Sequence, residues 1–154
     1  MEIMYYSNIE TVFQEVPGEI SICFTITGCN LCCNGCHSPY LWKEGSGKKL
    51  TDEKYLEILN KYKDFASCVL FMGGEWHKDE LIKKLKKAKY LGFSTCLYTG
   101  LTKVDAEIVA ELNWLKTGQW IQERGGLESL QTNQKFIEVK SNNILNHLFI
   151  KNKS

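Results

Sequence analysis

Proline is scarce in this sequence: only Pro17 and Pro39 occur in 154 residues. No internal repeat, low-complexity tract or stretch rich in proline, glycine or serine is present. Flexible linkers carry such compositions, so a single domain spanning residues 1–154 is expected. Long apolar runs are missing too. No segment approaches the ~20 apolar residues that a membrane-spanning helix needs. The first ten residues, MEIMYYSNIE, lack the basic start and apolar run of a secretory signal. The expectation is a cytoplasmic protein with no membrane partner. Charge of one sign is not in excess either. The 19 basic and 18 acidic residues leave a formal net charge of +1, which gives no attraction to nucleic acid or to an anionic bilayer. At 44% hydrophobic residues, the chain can still build a real core.

Cysteine, by contrast, is plentiful and crowded. Four of the seven cysteines fall within the eight residues from Cys29 to Cys36, in TGCNLCCNGCHSP. An odd number cannot all pair within one chain. A reducing compartment favours metal or redox chemistry over structural disulfides. Cys29, Cys33 and Cys36 are spaced i, i+4, i+7, as on one face of a helix. However, Gly28, Asn30, Asn34, Gly35 and Pro39 oppose a helix and favour a loop. Structural zinc sites usually draw two ligand pairs from separated places. Here no second pair exists, because Cys23, Cys68 and Cys96 sit singly in segments that read as strands. A loop giving three thiolates can instead hold three irons of a [4Fe–4S] cubane and leave the fourth iron open, as a catalytic site requires. Cys29, Cys33 and Cys36 supply such a set. The shifted set Cys29, Cys32 and Cys36 is the alternative, and Cys32 is otherwise an extra thiol.

The rest of the chain alternates strands and helices. EISICFTIT (19–27), SCVLFM (67–72), FSTCLYT (93–99), NWLKT (113–117) and KFIEVK (135–140) read as strands. The second is continuously apolar, as buried parallel strands are. TDEKYLEILNKY (51–62), behind a Thr51 N-cap, DELIKKLKKAKYL (79–91) and KVDAEIVAEL (103–112) read as helices. The lysines of the second helix are expected on a solvated face. This alternation predicts an α/β fold with a mostly parallel sheet. A closed (β/α)₈ barrel takes about 250 residues, so a partial, open barrel is expected. The cysteine segment, GGEW (73–76), YTG (98–100) and KTG (116–118) then all follow strands. They should converge at the strands' carboxyl ends, where α/β folds bind ligands.

Cys-x₃-Cys-x₂-Cys after the first strand, with Gly-Gly-Glu after the second, resembles the radical S-adenosylmethionine superfamily. GCNLCCNGCHSPYLW, FMGGEW, CLYTG, LKTG and GGLESLQTNQKF narrow the resemblance to the activating components of anaerobic ribonucleoside-triphosphate reductase, over roughly residues 18–137. The resemblance implies a [4Fe–4S] cluster on Cys29, Cys33 and Cys36, with S-adenosylmethionine on the open iron. It implies that Gly73 and Gly74 let the backbone approach this cofactor, that Glu75 accepts from its ammonium, and that Thr99, Gly100 and Lys116 line its pocket. Gly35 stands where many members carry an aromatic beside adenine, which would leave adenine to His37. Asn113 stands where the family carries an aspartate, and Leu130 and Gln131 replace Pro and Thr. The implied function is reductive cleavage of S-adenosylmethionine to a 5′-deoxyadenosyl radical that installs a glycyl radical on the reductase large subunit. A flavodoxin or ferredoxin electron donor and a homodimer go with it. Competing readings are a formate-lyase-type activase, a small-molecule radical enzyme, and a non-catalytic iron–sulfur or zinc sensor. His77 is expected at the surface. Tyr40, Trp42, Trp76 and Trp120 each read singly as packed beneath loops, and as a group they would suit a docking rim.

Overall fold

The apolar run SCVLFM becomes the middle of the sheet. In the computed structural model, which describes residues 4–27 and 47–150, Cys68, Val69, Leu70 and Phe71 are each 0% exposed. Eight strands form one sheet: β1 (Tyr5–Val12), β2 (Ser21–Ile26), β3 (Lys48–Lys49), β4 (Cys68–Met72), β5 (Ser94–Tyr98), β6 (Trp114–Thr117), β7 (Lys135–Glu138) and β8 (Asn143–Ile144). Among the described residues three α-helices accompany them, α1 (Asp52–Tyr62), α2 (Lys78–Tyr90) and α3 (Ala106–Val109), and a one-turn 3-10 helix at Asn146–Phe149 follows β8. The strand order is β3-β1-β2-β4-β5-β6-β7-β8, so the sheet is open, with β3 and β8 at its edges.

The expectation of a mostly parallel sheet is corrected here. Only β2–β4, β4–β5 and β5–β6 pair in parallel. The outer pairings, β1–β2, β1–β3, β6–β7 and β7–β8, are antiparallel. The reason lies in the connections. A parallel pair needs a crossover, usually a helix. The three helices serve the three parallel pairs, and residues 118–134, between β6 and β7, contain no helix. A partial barrel is therefore not what the strand pairing establishes; an open mixed α/β sheet is. The strand β1 went unread because its exposure alternates poorly. A turn through Pro17 and Gly18, closed by Glu19 N–H on the Val16 carbonyl at 3.0 Å, lies between β1 and β2.

Side chains alternate between two faces along each central strand. Ile22, Phe24, Val69, Phe71, Leu97 and Leu115 pack with Tyr55, Leu59, Leu81, Leu85 and Ile108 of the helices. Phe24 stacks on Phe71 with ring centroids 5.3 Å apart. Thr51 caps α1 as expected, accepting from the Lys54 amide at 3.1 Å. The expected third helix shrinks to one turn. Asp105 caps its start, and i→i+3 bonds from Glu111 and Leu112 wind the chain down before β6. The lysines of α2 are not all solvated. Lys84 is 1% exposed, sits 2.8 Å from Glu80, and lies over the Tyr55 ring. On the other face, Val16, Cys23, Cys68, Leu70, Cys96, Leu127 and Phe136 form a smaller core. No helix among the described residues is long and apolar enough to cross a membrane.

Candidate cofactor site

The cysteine segment departs from the carboxyl end of β2, and its two flanks are held together. Thr27 N–H donates to the Tyr5 carbonyl at 3.0 Å. A Cβ on Gly47 would stand 2.3 Å from the Tyr6 carbonyl oxygen and 3.3 Å from Thr27 Cγ2, so only glycine lets the returning chain come so close to β1. Cys29, Cys32, Cys33, Cys36, His37, Tyr40 and Trp42 lie outside the described residues.

The neighbouring strand ends lock to one another. Gly73 N–H donates to the Tyr98 carbonyl at 2.9 Å, and Thr99 N–H donates to the Lys116 carbonyl at 2.9 Å. Past β4, the chain turns through Gly73 and Gly74 with φ of 85° and 108°, a region that side chains disfavour. A Cβ on Gly73 would also strike the Trp76 ring at 2.7 Å. Trp76 is therefore folded back over its own turn, as its single reading had it. The His77 amide closes the turn on the Gly74 carbonyl at 2.9 Å and leads into α2. His77 is 7% exposed, which corrects its expected place at the surface.

This turn delivers Glu75 to Thr99. Glu75 Oε1 accepts from Thr99 Oγ1 at 2.6 Å, and Thr99 Oγ1 accepts from the Leu101 amide at 3.1 Å. Glu75 Oε2 is buried with no hydrogen-bond partner among the described residues. Burial pushes the Glu75 carboxyl above the usual carboxylate range, against the pull of the Thr99 hydrogen bond and the Lys116 charge. Gly73, Gly74, Glu75, Thr99 and Lys116 are thus brought together at the ends of three adjacent parallel strands. Asn113 is not with them. It precedes β6, at the opposite end of the sheet, where its Oδ1 accepts from the Thr95 amide at 2.9 Å.

Beside these residues, on the face away from the helices, lies a cleft of about 540 Å³ lined by Met72, Tyr98, Lys116, Trp120, Glu15 and Glu128 among others. Lys116 Nζ sits 5.5 Å from the Tyr98 ring centroid. Tyr98 Oη donates to the Glu15 carbonyl, and burial raises its pKa. Burial likewise raises that of Glu15. Tyr98, Glu15 and Glu128 were missed from sequence. For Tyr98 a signal existed, because strand alternation from Cys96 puts it on the cleft face.

Residues 16–137 match the model of the 4Fe-4S single cluster domain family. The chain belongs to that family. Pyruvate formate-lyase-activating enzyme of Clostridium pasteurianum is 36% identical over 89 residues, which cover 54% of this chain and 37% of that protein. The chain thus matches little more than a third of that relative's length. Family and relative together support a [4Fe–4S] cluster and S-adenosylmethionine as the cofactors. The residues at the strand ends fit such a ligand: a buried carboxylate oxygen without a partner among the described residues suits an ammonium. Among the described residues, no group of three or more His, Cys, Asp or Glu could hold a metal.

Proposed function

We propose that the protein is a radical S-adenosylmethionine activase that installs a glycyl radical on a partner enzyme, and that the partner is the large subunit of anaerobic ribonucleoside-triphosphate reductase. Glu75, with one oxygen bound by Thr99 and the other buried beside Lys116, carries this reading. When bound, the cluster and S-adenosylmethionine supply the electron and the 5′-deoxyadenosyl radical that takes hydrogen from a glycine. The chain's residues bind, orient and exclude water. Cys29, Cys33 and Cys36 hold the cluster on the segment that starts after Thr27. Gly73 and Gly74 bring the backbone to the methionine end. Glu75 accepts from the ammonium, and Lys116 offers the opposite charge one strand beyond Thr99 to the carboxylate of the same zwitterion. His37 is the proposed neighbour of adenine. A cytoplasmic setting and a flavodoxin or ferredoxin donor complete the proposal.

The match to pyruvate formate-lyase-activating enzyme favours a second reading, in which the partner is a formate lyase. The test is anaerobic reconstitution, followed by incubation with each partner and a reductant. Electron paramagnetic resonance is expected to show a glycyl radical on the reductase, and 5′-deoxyadenosine should form. A radical on the lyase alone would shift the assignment, and cofactor cleavage without a radical on either would end the activase reading. In the same preparation, Cys29→Ala, Cys33→Ala and Cys36→Ala should each lose the cluster's iron and absorption, and Cys32→Ala should keep both.

A further inference from the structure

The Thr99 hydroxyl has one proton, and the structure fixes where it goes. Its oxygen already accepts from the Leu101 amide at 3.1 Å, and it lies 2.6 Å from Glu75 Oε1. A hydroxyl donates once, so the chain of bonds runs in one direction: Leu101 N–H to Thr99 Oγ1, then Thr99 O–H to Glu75 Oε1. Thr99 is 3% exposed, so no bulk water competes for that bond. Its own amide is tied to the Lys116 carbonyl at 2.9 Å, which anchors the residue to the next strand. The consequence falls on the carboxylate. Oε1 already holds a donor, and the oxygen left with nothing to meet its share of the charge is Oε2, buried and with no partner among the described residues.

We infer that Thr99 is a positioning residue that presents Glu75 Oε2 to the amine of the bound cofactor, rather than a cofactor contact in its own right. The inference rests on the reading of Glu75 given above and adds a division of labour to it. Without the Thr99 hydroxyl, both carboxylate oxygens would need partners, the side chain could rotate about its last bond, and a neutral, protonated Glu75 would be favoured by burial. None of these states holds an acceptor still for an ammonium.

The experiment is anaerobic equilibrium dialysis of the reconstituted protein with S-adenosylmethionine and with its analogue lacking the α-amino group. Thr99→Val keeps the shape and removes the donor; Thr99→Ser keeps the donor. Thr99→Val is expected to weaken S-adenosylmethionine binding roughly ten-fold, to leave the desamino analogue bound as in the parent protein, and to be rescued by Thr99→Ser. Cluster content and melting temperature, followed in each variant, identify loss of fold. Equal affinity of Thr99→Val and parent for S-adenosylmethionine overturns the inference. So does an equal loss for both ligands, which marks a damaged pocket. Glu75→Gln separates the two levels: if it weakens S-adenosylmethionine while Thr99→Val does not, the Glu75 reading stands and the positioning role falls. If Glu75→Gln changes nothing, both fall together.

Discussion

The face of the sheet that carries Phe24, Phe71 and Leu97 is closed by three helices. The face that carries Cys23, Leu70 and Cys96 is closed by loops and by the 3-10 turn that holds Phe149, and it opens into a cleft. The same strands supply both. The helix face stacks aromatic rings between regular elements. The cleft face draws its cover from distant segments: Val16, Leu127, Leu145 and Phe149. Cover by the long helices α1 and α2 leaves the first face buried, whereas cover by loops and a short turn leaves a cavity beside Tyr98 and Lys116. The larger buried core thus lies on one side of the sheet and the cleft on the other.

The largest expected effect comes from emptying each face in turn. Phe71→Ala should cost about 3–5 kcal/mol, the range for deleting a fully buried ring between rigid neighbours. Phe136→Ala, equally buried, should cost less, because its neighbours Phe149 and Tyr98 border the cleft and can move into the gap. Urea unfolding of both variants measures the difference; equal losses would erase the distinction between the faces.

A smaller effect tests the one buried cation of the helix face among the described residues. Lys84→Met keeps most of the aliphatic stem, but takes the ammonium from Glu80 at 2.8 Å and Asp52 at 3.7 Å. Because Glu80 and Asp52 remain partly exposed at 21% and 53%, water can reach them, and the loss should be ~1–3 kcal/mol, below that of a fully buried pair. Thermal unfolding checks it.

The smallest effect should have the opposite sign. Burial raises the Glu75 pKa in the folded state. Below the unfolded pKa both states hold the proton and there is no cost. As pH rises toward and through the folded value, the unfolded state ionises more readily, and stability is lost. Glu75→Gln should therefore raise the melting temperature of the cofactor-free protein at neutral pH, by about 2–4 °C for each ~1 kcal/mol relieved, with the gain fading in acid. A lower melting temperature would show that Glu75 supports the fold rather than the ligand.

Much of this was legible because it depends on local pattern. Helical spacing behind Thr51 gave α1, the apolar run gave β4, and Gly-Gly-Glu at a strand end gave the turn that carries Glu75. Lys84 was not legible, because a lysine in a lysine-rich helix is buried only when the partner helix offers Tyr55 and Asp52. Asn113 matched the motif by order alone. Its position before β6 places it at the end of the strand opposite Glu75 and Thr99, and next to Thr95, whose amide it holds.

By itself, the sequence determined the order of elements, the crowding of four cysteines after the first parallel strand, and the glycines that let the chain turn beside Trp76. These follow from steric limits, periodicity and thiol chemistry, which act within a few residues. Only the tertiary structure decided that the outer strands run antiparallel, that loops and a 3-10 turn border a cleft on one face, and that Thr99 spends its proton on Glu75. Each of these depends on which distant segment arrives alongside, and pairing across the sheet sets that.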